Sequence, residues 1–271
     1  MANVISVLTS KGGVGKTQTA LEVASVLANN GNRVLCIDMD GQKNLSKRVG
    51  CDLKKKTILD CLTIDEDISL EDMEELLSKS IQHVNNLDII AGNTKMGLAE
   101  KIFPGADDVF LLDAFCKSFV KDDYDFIIID NPPARNVITT MSIIASDYAI
   151  LVTDGSSDAR DGIQLVLTDI ATFKLDERRK WSNIEILGIV INKAKMRTVH
   201  FITEVQAYKE DVVPMIEEKG LGKNLFVQTV SDAIEVMEAG DAKKSLQDYK
   251  RYGEPAKDFR KVAAEVLKRI I

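Results

Sequence analysis

The sequence predicts an α/β fold: one doubly wound, mostly parallel sheet with helices on both faces. Three observations carry this expectation. Short apolar runs recur at residues 4–8, 34–37, 87–91, 126–129, 148–153 and 186–191, and nearly all are too continuously apolar for strands with one wet face. Stretches of helical periodicity separate them, the alternation that builds a parallel sheet. No composition break divides the 271 residues, so residues 1–271 read as a single domain with an ample core and no N-terminal helix-turn-helix domain.

The first strand and helix are the most informative. Val4-Ile5-Ser6-Val7-Leu8 suits a buried strand, and Ala20, Leu21, Val23, Ala24 and Leu27 fall at helical spacing, with Gly31 as a stop signal. Between them runs Ser10-Lys11-Gly12-Gly13-Val14-Gly15-Lys16-Thr17-Gln18-Thr19. Glycines let such a loop curl until successive N–H groups face one anion, and the helix start adds the positive end of its dipole. Lys16 would reach the β- and γ-phosphates, and the Thr17 hydroxyl would sit on Mg²⁺. A ligand-free glycine turn has no use for that lysine and hydroxyl at that spacing. The loop therefore implies a nucleoside triphosphate.

The remaining elements follow in order. Residues 33–38 form a second buried strand ending in Asp38, followed by Met39-Asp40-Gly41-Gln42. Residues 43–80 mix charged clusters with helical stretches, the clearest starting at Ser69, an N-cap for the turn holding Asp72. Residues 87–91 return to strand. Leu111, Leu112, Phe115 and Phe119 give residues 109–120 a helical face. Residues 126–130 end a strand in Asp130, before Asn131-Pro132-Pro133. Strands at 148–153 and 186–191 flank a helix at 163–173, with a short strand at 225–227 and a closing helix at 259–271. Ligands gather beyond the carboxyl ends of strands in such sheets, so Asp38, Asp40 and Asp130 are brought toward Lys16 and Thr17. Carboxylates there can hold Mg²⁺ through its waters or orient the water that attacks a γ-phosphate.

Composition narrows the classes. No apolar run reaches a membrane span, and the N-terminus has no signal-peptide pattern. Cys36, Cys51, Cys61 and Cys116 are scattered without a Cys-x-x-Cys pair, which fits a reducing cytoplasm and argues against structural zinc. The net charge of −7 offers nucleic acid no bulk attraction, so DNA binding must come from local patches.

Lys11-Gly12-Gly13-Val14-Gly15-Lys16-Thr17, with Ser10 where the generic motif has glycine, resembles the deviant Walker A loop of the ParA/MinD superfamily. The resemblance implies that Lys11 crosses a dimer interface to the partner's nucleotide. Asp38-Met39-Asp40-Gly41-Gln42 resembles the family's Asp-x-Asp-Pro-Gln, which implies that Asp40 positions the attacking water while Asp38 joins the magnesium network. Ile129-Asp130-Asn131-Pro132-Pro133 resembles the family's Walker B stretch and implies a water-mediated magnesium role for Asp130. Gly41 for proline and Asn131 for a small residue are departures that bear on loop stiffness. Asn192-Lys193-Ala194-Lys195 resembles the guanine-reading Asn-Lys-x-Asp except that Lys195 replaces the aspartate. Guanine thus loses its acceptor, while the Asn192 amide can still pair with adenine's edge. ATP is favoured, and the family's asparagine here contacts adenine. Ser231-Asp232 stand where the adenine loop often carries Pro-Arg.

The resemblance extends over nearly the whole chain and is nearest to small, Soj-like ParA partition ATPases. It implies an ATP-sandwich homodimer, located in the cytoplasm at the nucleoid, that binds DNA without sequence preference. A ParB-like partner would stimulate hydrolysis that is slow without it and so release the DNA. Basic groups at Lys193, Lys195, Arg197 and His200, at Lys243, Lys244, Lys250 and Arg251, and at Arg260, Lys261, Lys268 and Arg269 could meet phosphates. Asp248, Glu254, Asp258 and Glu265 are interspersed with the later clusters, and each cluster reads more readily as solvated surface than as a site. Lys195, Arg197, Lys250 and Arg251 are the better DNA candidates. Two other classes stay open. A MinD-like membrane-cycling ATPase would need an amphipathic C-terminal anchor, whereas Ala263 and Ala264 suggest helix packing. A reductase resembling the nitrogenase iron protein would need two suitably placed cysteines.

Overall fold

The computed structural model describes residues 1–64, 68–175, 181–194 and 199–270. In chain order the main elements are β1 (Asn3–Leu8), α1 (Lys16–Asn29), β2 (Val34–Asp38), α2 (Asn44–Val49), α3 (Ile58–Leu62), α4 (Leu70–Ser80), β3 (Ile81–Val84) and β4 (Leu87–Ile90). Then come α5 (Ala99–Ile102), α6 (Leu111–Phe115), β5 (Phe126–Asp130), α7 (Val137–Ala145), β6 (Tyr148–Thr153), α8 (Ser157–Leu175) and β7 (Glu185–Ala194). The chain closes with α9 (Val199–Ala207), α10 (Val213–Glu218), β8 (Phe226–Ser231), α11 (Glu235–Asp241), α12 (Leu246–Tyr249) and α13 (Glu254–Ile270).

The eight strands form one sheet in the order β3-β4-β2-β5-β1-β6-β7-β8. Every pairing is parallel except the β3–β4 hairpin at one edge. Alternation explains why the central strands are apolar throughout. In β5, Phe126 and Ile128 face the core under α1 and α13, while Ile127 and Ile129 face the core under α6 and α7. Residues Val34, Cys36 and Leu35, Ile37 divide in the same way along β2. Each fully buried aliphatic chain of this kind contributes roughly 1.5–3 kcal/mol.

Strand β1 sits between β5 and β6, so the chain's direction of travel across the sheet reverses beside it. That reversal opens a crevice at the carboxyl ends of the strands, into which the loop after β1 projects. The far edge is held by ties of its own. Lys121 pairs with Asp147 at 3.1 Å and Arg33 with Asp125 at 3.3 Å, while the Val4 N–H donates to Asp147 Oδ2.

Several boundaries differ from expectation. The helix read at 109–120 changes pitch, from a 3₁₀ turn at Asp107–Phe110 through α6 to a wider π turn at Cys116–Val120. β3 was not foreseen; its signal is the Asn85-Asn86 turn, with Asn85 at φ +54°. The closing helix begins earlier, at Glu254. Its Phe259, Val262, Ala263 and Val266 are fully buried against the sheet and α1, whereas Ala264 is exposed rather than packed. Ser69 does cap α4, accepting from the Asp72 N–H. Among the described residues no helix is long and apolar enough to cross a membrane.

Candidate functional site

Helix α1 starts without a side-chain cap. Its N-cap is Gly15 in left-handed backbone (φ +100°), and its first turn carries no acid. Compare α7, where Asn136 Oδ1 accepts from the N–H groups of Ile138 and Thr139. The open N–H groups of α1 are the donors an anion would satisfy. They border a cavity of about 470 Å³ lined by Gly12, Gly13, Gly15, Lys16, Thr17 and Gln18 on this side. Asp40, Gln42, Asn44, Arg48, Asn131, Pro133, Asn192, Lys193, Ser231, Asp232 and Val236 complete the wall. Val14 is buried beneath the loop.

The loop is braced from β7. The Asn192 amide donates to the Val14 carbonyl at 3.1 Å, and Lys193, itself left-handed at φ +55°, donates from Nζ to the Gly13 carbonyl at 2.7 Å. A Cβ on Gly15 would lie 1.8 Å from Asn192 Nδ2, so glycine is required there by contact as well as by φ. Asn192, expected at the adenine edge, thus also holds the phosphate loop. Lys193, read in the sequence as part of a basic group, here braces the loop instead.

The strand-end acids converge as expected. Asp38 and Asp130 stand opposite each other in the β2–β5 register. Asp38 is fully buried, with Oδ1 accepting from the Asp40 N–H and Oδ2 from both the N–H and hydroxyl of Ser46. Burial raises its pKa to about 6, against the lowering effect of the Ser46 hydrogen bonds. Asp130 differs. It is fully buried with no hydrogen-bond partner of good geometry on either oxygen. Desolvation and the neighbouring Asp38 hold its pKa well above the usual carboxylate range, although the nearby Thr17 hydroxyl and Lys16 favour the charged form. Asp40 is nearly buried, its carboxylate accepting from the Gln42 N–H at 2.9 Å and the Asn44 amide at 3.5 Å. Lys16 is buried too. Desolvation lowers its pKa, opposed by Asp130 and Asp40.

The two departures have local reasons. A Cβ on Gly41 would meet the Gly97 backbone nitrogen at 2.9 Å, so the neighbouring turn leaves no room for a proline ring. Asn131 ties the end of β5 to β1 by donating to the Val7 carbonyl at 3.2 Å, and its Oδ1 stays buried without a partner.

Lys11 points away from this cavity's floor. Its Nζ donates to Asp154 Oδ2 at 3.2 Å and Ser156 Oγ at 2.7 Å, both just past β6. Burial would raise the Asp154 pKa, but hydrogen bonds from Ser156 and Lys11 outweigh it and the net shift is downward. Ser10 Oγ donates to the Gly162 carbonyl of α8 at 2.8 Å. Asp154 and Ser156 were missed by sequence reasoning, as were Ser46 and Asn44.

Do these residues suit a magnesium ion and a triphosphate? The partnerless oxygens of Asp130 and of Asn131 are buried polar groups that a ligand or its waters would satisfy. Among the described residues no three His, Cys, Asp or Glu form a cage for a metal. Magnesium binds through one or two carboxylates plus phosphates and keeps several waters, and the buried Asp130 beside Thr17 supplies such a carboxylate. The donor set fits.

Of the DNA candidates, Lys195 and Arg197 lie outside the described residues. Arg251 is exposed, and Lys250 donates to Glu235 Oε1 at 2.8 Å. All four cysteines are buried thiols.

A family model described as an AAA domain matches residues 2–186. The chain is 30% identical over 217 residues to the sporulation initiation inhibitor protein Soj of Bacillus subtilis (strain 168), covering 79% of this chain and 82% of Soj. The chain belongs to the ParA/MinD superfamily of partition-type P-loop ATPases. Solved ParA/MinD structures share its fold. The septum site-determining protein MinD of Pyrococcus horikoshii OT3, complexed with Mg-ADP, is 25% identical with a TM-score of 0.70, over 100% of this chain and 98% of MinD. An ATP complex of a Cyanothece McdA variant is 20% identical with a TM-score of 0.80, over 98% of this chain and 96% of McdA. The ParA/MinD fold accounts for the deviant loop, the two strand-end acids and the crevice between them.

Proposed function

We propose that this chain is an ATP-dependent partition ATPase that dimerises around ATP, binds DNA without sequence preference, and releases it after hydrolysis. The carrying observation is the cavity itself: an uncapped helix start, Lys16, Thr17, Asp40 and Asn131 line one space, and the buried Asp130 lies against Lys16 and Thr17 behind it. ATP fits this reading through the same donors. The N–H groups of residues 12–17 cradle the β- and γ-phosphates, and Lys16 adds a desolvated positive charge there. Thr17 and Asp130 would hold magnesium, whose chemistry is to offset charge on the phosphate oxygens. Asp38, whose oxygens are spent on Asp40 and Ser46, contributes by fixing the Asp40 loop and by its charge.

Asp40 would orient the attacking water. As that water's oxygen bonds to the γ-phosphorus, the bond to the β–γ bridging oxygen breaks, giving ADP and phosphate. The water's proton leaves toward solvent or phosphate with Asp40 holding the oxygen in line. Lys11 would complete the partner's phosphate site, which requires it to leave Asp154 and Ser156. Closing two subunits doubles every basic patch and so the number of phosphate contacts. A ParB-like protein is the partner class for stimulated turnover.

The membrane-cycling alternative is less favoured because the apolar face of α13 already packs against β8 and α1. The deciding experiment is DNA binding with ATP, with ADP and without nucleotide across a salt series. ATP-dependent binding that weakens steeply with salt is expected. ATP-dependent binding to anionic liposomes but not to DNA would overturn the partition reading.

A further inference from the structure

Three polar side chains, Gln18 and Glu22 buried and Arg48 half-buried, form a second cluster beside the cavity, which Gln18 and Arg48 help to line. Gln18, one residue beyond Thr17, donates from Nε2 to Glu22 Oε1 at 2.8 Å, which also accepts the Leu246 N–H at 2.8 Å. Arg48, on α2, donates from its guanidinium to the Val236 carbonyl at the start of α11. It packs over Gly240, 3.1 Å from where a side chain there would begin. The charges of Glu22 and Asp241 favour its ionised form against the burial that disfavours it. Gln18 Oε1, Glu22 Oε2 and Arg48 Nε are buried without partners. A polar tie of this kind is retained at a cost, since removing it would leave desolvated groups behind.

What Arg48 connects is the informative point. Helix α2 is only six residues long, yet it carries three ties in succession. Asn44 reaches Asp40, Ser46 holds Asp38 by backbone and hydroxyl, and Arg48 holds Val236. Val236 lines the cavity together with Ser231 and Asp232. This short helix thus ties Asp38 and Asp40 to the wall of Ser231, Asp232 and Val236, where a nucleobase would lie.

We propose that Arg48 is a positioning residue that couples the base end of the cavity to Asp40 through α2. The inference rests on the ATP-site reading above. A base seated against Ser231, Asp232 and Val236 fixes α11, Arg48 transmits that constraint to α2, and Asn44 and Ser46 set the Asp40 loop. A triphosphate without a base leaves α11 unconstrained and gains nothing from Arg48.

The test compares ATP with inorganic tripolyphosphate in the full chain, using wild type, Arg48→Gln and Arg48→Lys. In wild type, turnover of ATP should exceed that of tripolyphosphate at least tenfold. Arg48→Gln should lower kcat for ATP toward the tripolyphosphate rate with KM for ATP changed less than threefold, and Arg48→Lys should restore part of the loss. An equal fall with both substrates, or no fall with either, overturns the coupling. A second readout uses wild type alone and needs binding without hydrolysis. Hydrogen exchange at residues 40–49 should slow on adding ADP but not on adding pyrophosphate. Equal protection by both overturns the proposal even if ATP is hydrolysed. Base-dependent protection without turnover keeps it and sinks the ATPase reading instead.

Discussion

Lys11 Nζ lies 3.2 Å from Asp154 Oδ2 within the same chain, an ion pair whose two side chains are 29% and 27% exposed. A lysine held there cannot also reach a second subunit's phosphates, so the two arrangements compete. A partly exposed pair of this kind is worth roughly 1 kcal/mol, or about fivefold in an equilibrium. Two such pairs are given up per dimer, so Asp154→Asn should lower the protein concentration needed for ATP-dependent dimerisation by about 25-fold in sedimentation velocity. No change would mean that the contact does not hold Lys11 back. Lys11→Ala should still bind ATP as a monomer but lose hydrolysis.

Removing Asp40 separates binding from turnover. Asp40→Ala should bind ATP, remain dimeric on DNA and lose at least a hundredfold in steady-state hydrolysis. Fast phosphate release by this variant would reject Asp40 as the water-positioning group. Lys16→Ala should lose nucleotide binding altogether in titration calorimetry, because Lys16 is the buried cation that Asp130 and Asp40 hold in its charged form.

Gly15→Ala tests the brace between the loop and β7. The added methyl would overlap Asn192 Nδ2 and sit at φ +100°. Backbone strain of this type costs on the order of 1–3 kcal/mol, and moving Asn192 also releases the Val14 carbonyl. The variant should show a lower urea midpoint and at least tenfold weaker ATP binding. An Asn192→Ala, Gly15→Ala pair should recover part of the stability, since the clash is then gone.

Glu22 gives a pH-dependent stability prediction. Burial raises its pKa to about 7 in the folded chain, from an ordinary value near 4.5. The folded state therefore holds this proton more tightly, and its contribution to stability, fully present below pH 4.5, is lost as pH rises through 7. Glu22→Gln keeps the neutral shape without the ionisation. It should be more stable than wild type at pH 8, by on the order of 3 kcal/mol, with the gap closing toward pH 4.5. Urea melts at several pH values check this, and a constant gap would exclude the ionisation as its source.

Much of this was legible in advance because the signals are local. Strands buried on both faces need unbroken apolar runs, so β1, β2, β5, β6 and β7 announce themselves, and an acid ending such a run marks the ligand edge. The phosphate loop is read from ten consecutive residues. Asn44 and Ser46 escaped although their acids lie only four and eight positions away, but the other missed ties depend on partners distant in sequence. Asp154 meets Lys11 across 143 positions, Asn192 meets Val14 across 178 and Arg48 meets Val236 across 188. Nothing near Arg48 marks it off from the other cations of residues 43–56. Strand β3 escaped for another reason: a four-residue edge strand with one face to solvent carries too little apolar pattern to stand out.

Because all strands but β3 run the same way, the sheet has two unlike rims. One carries the phosphate loop, Asp38, Asp130 and Asn192; the other carries Lys121, Asp147, Arg33 and Asp125. Tolerance to substitution should divide along this line. Changes at the second rim would lower the amount of folded protein while each surviving molecule works normally. Changes to the ligand-facing groups of the first, Lys16 and Asp40 among them, would leave abundance intact and silence the molecules present. A saturation library scored separately for abundance and for activity would draw that boundary across the sheet, and an abundant but inactive variant at Lys121 or Asp147 would reveal a task on the far rim.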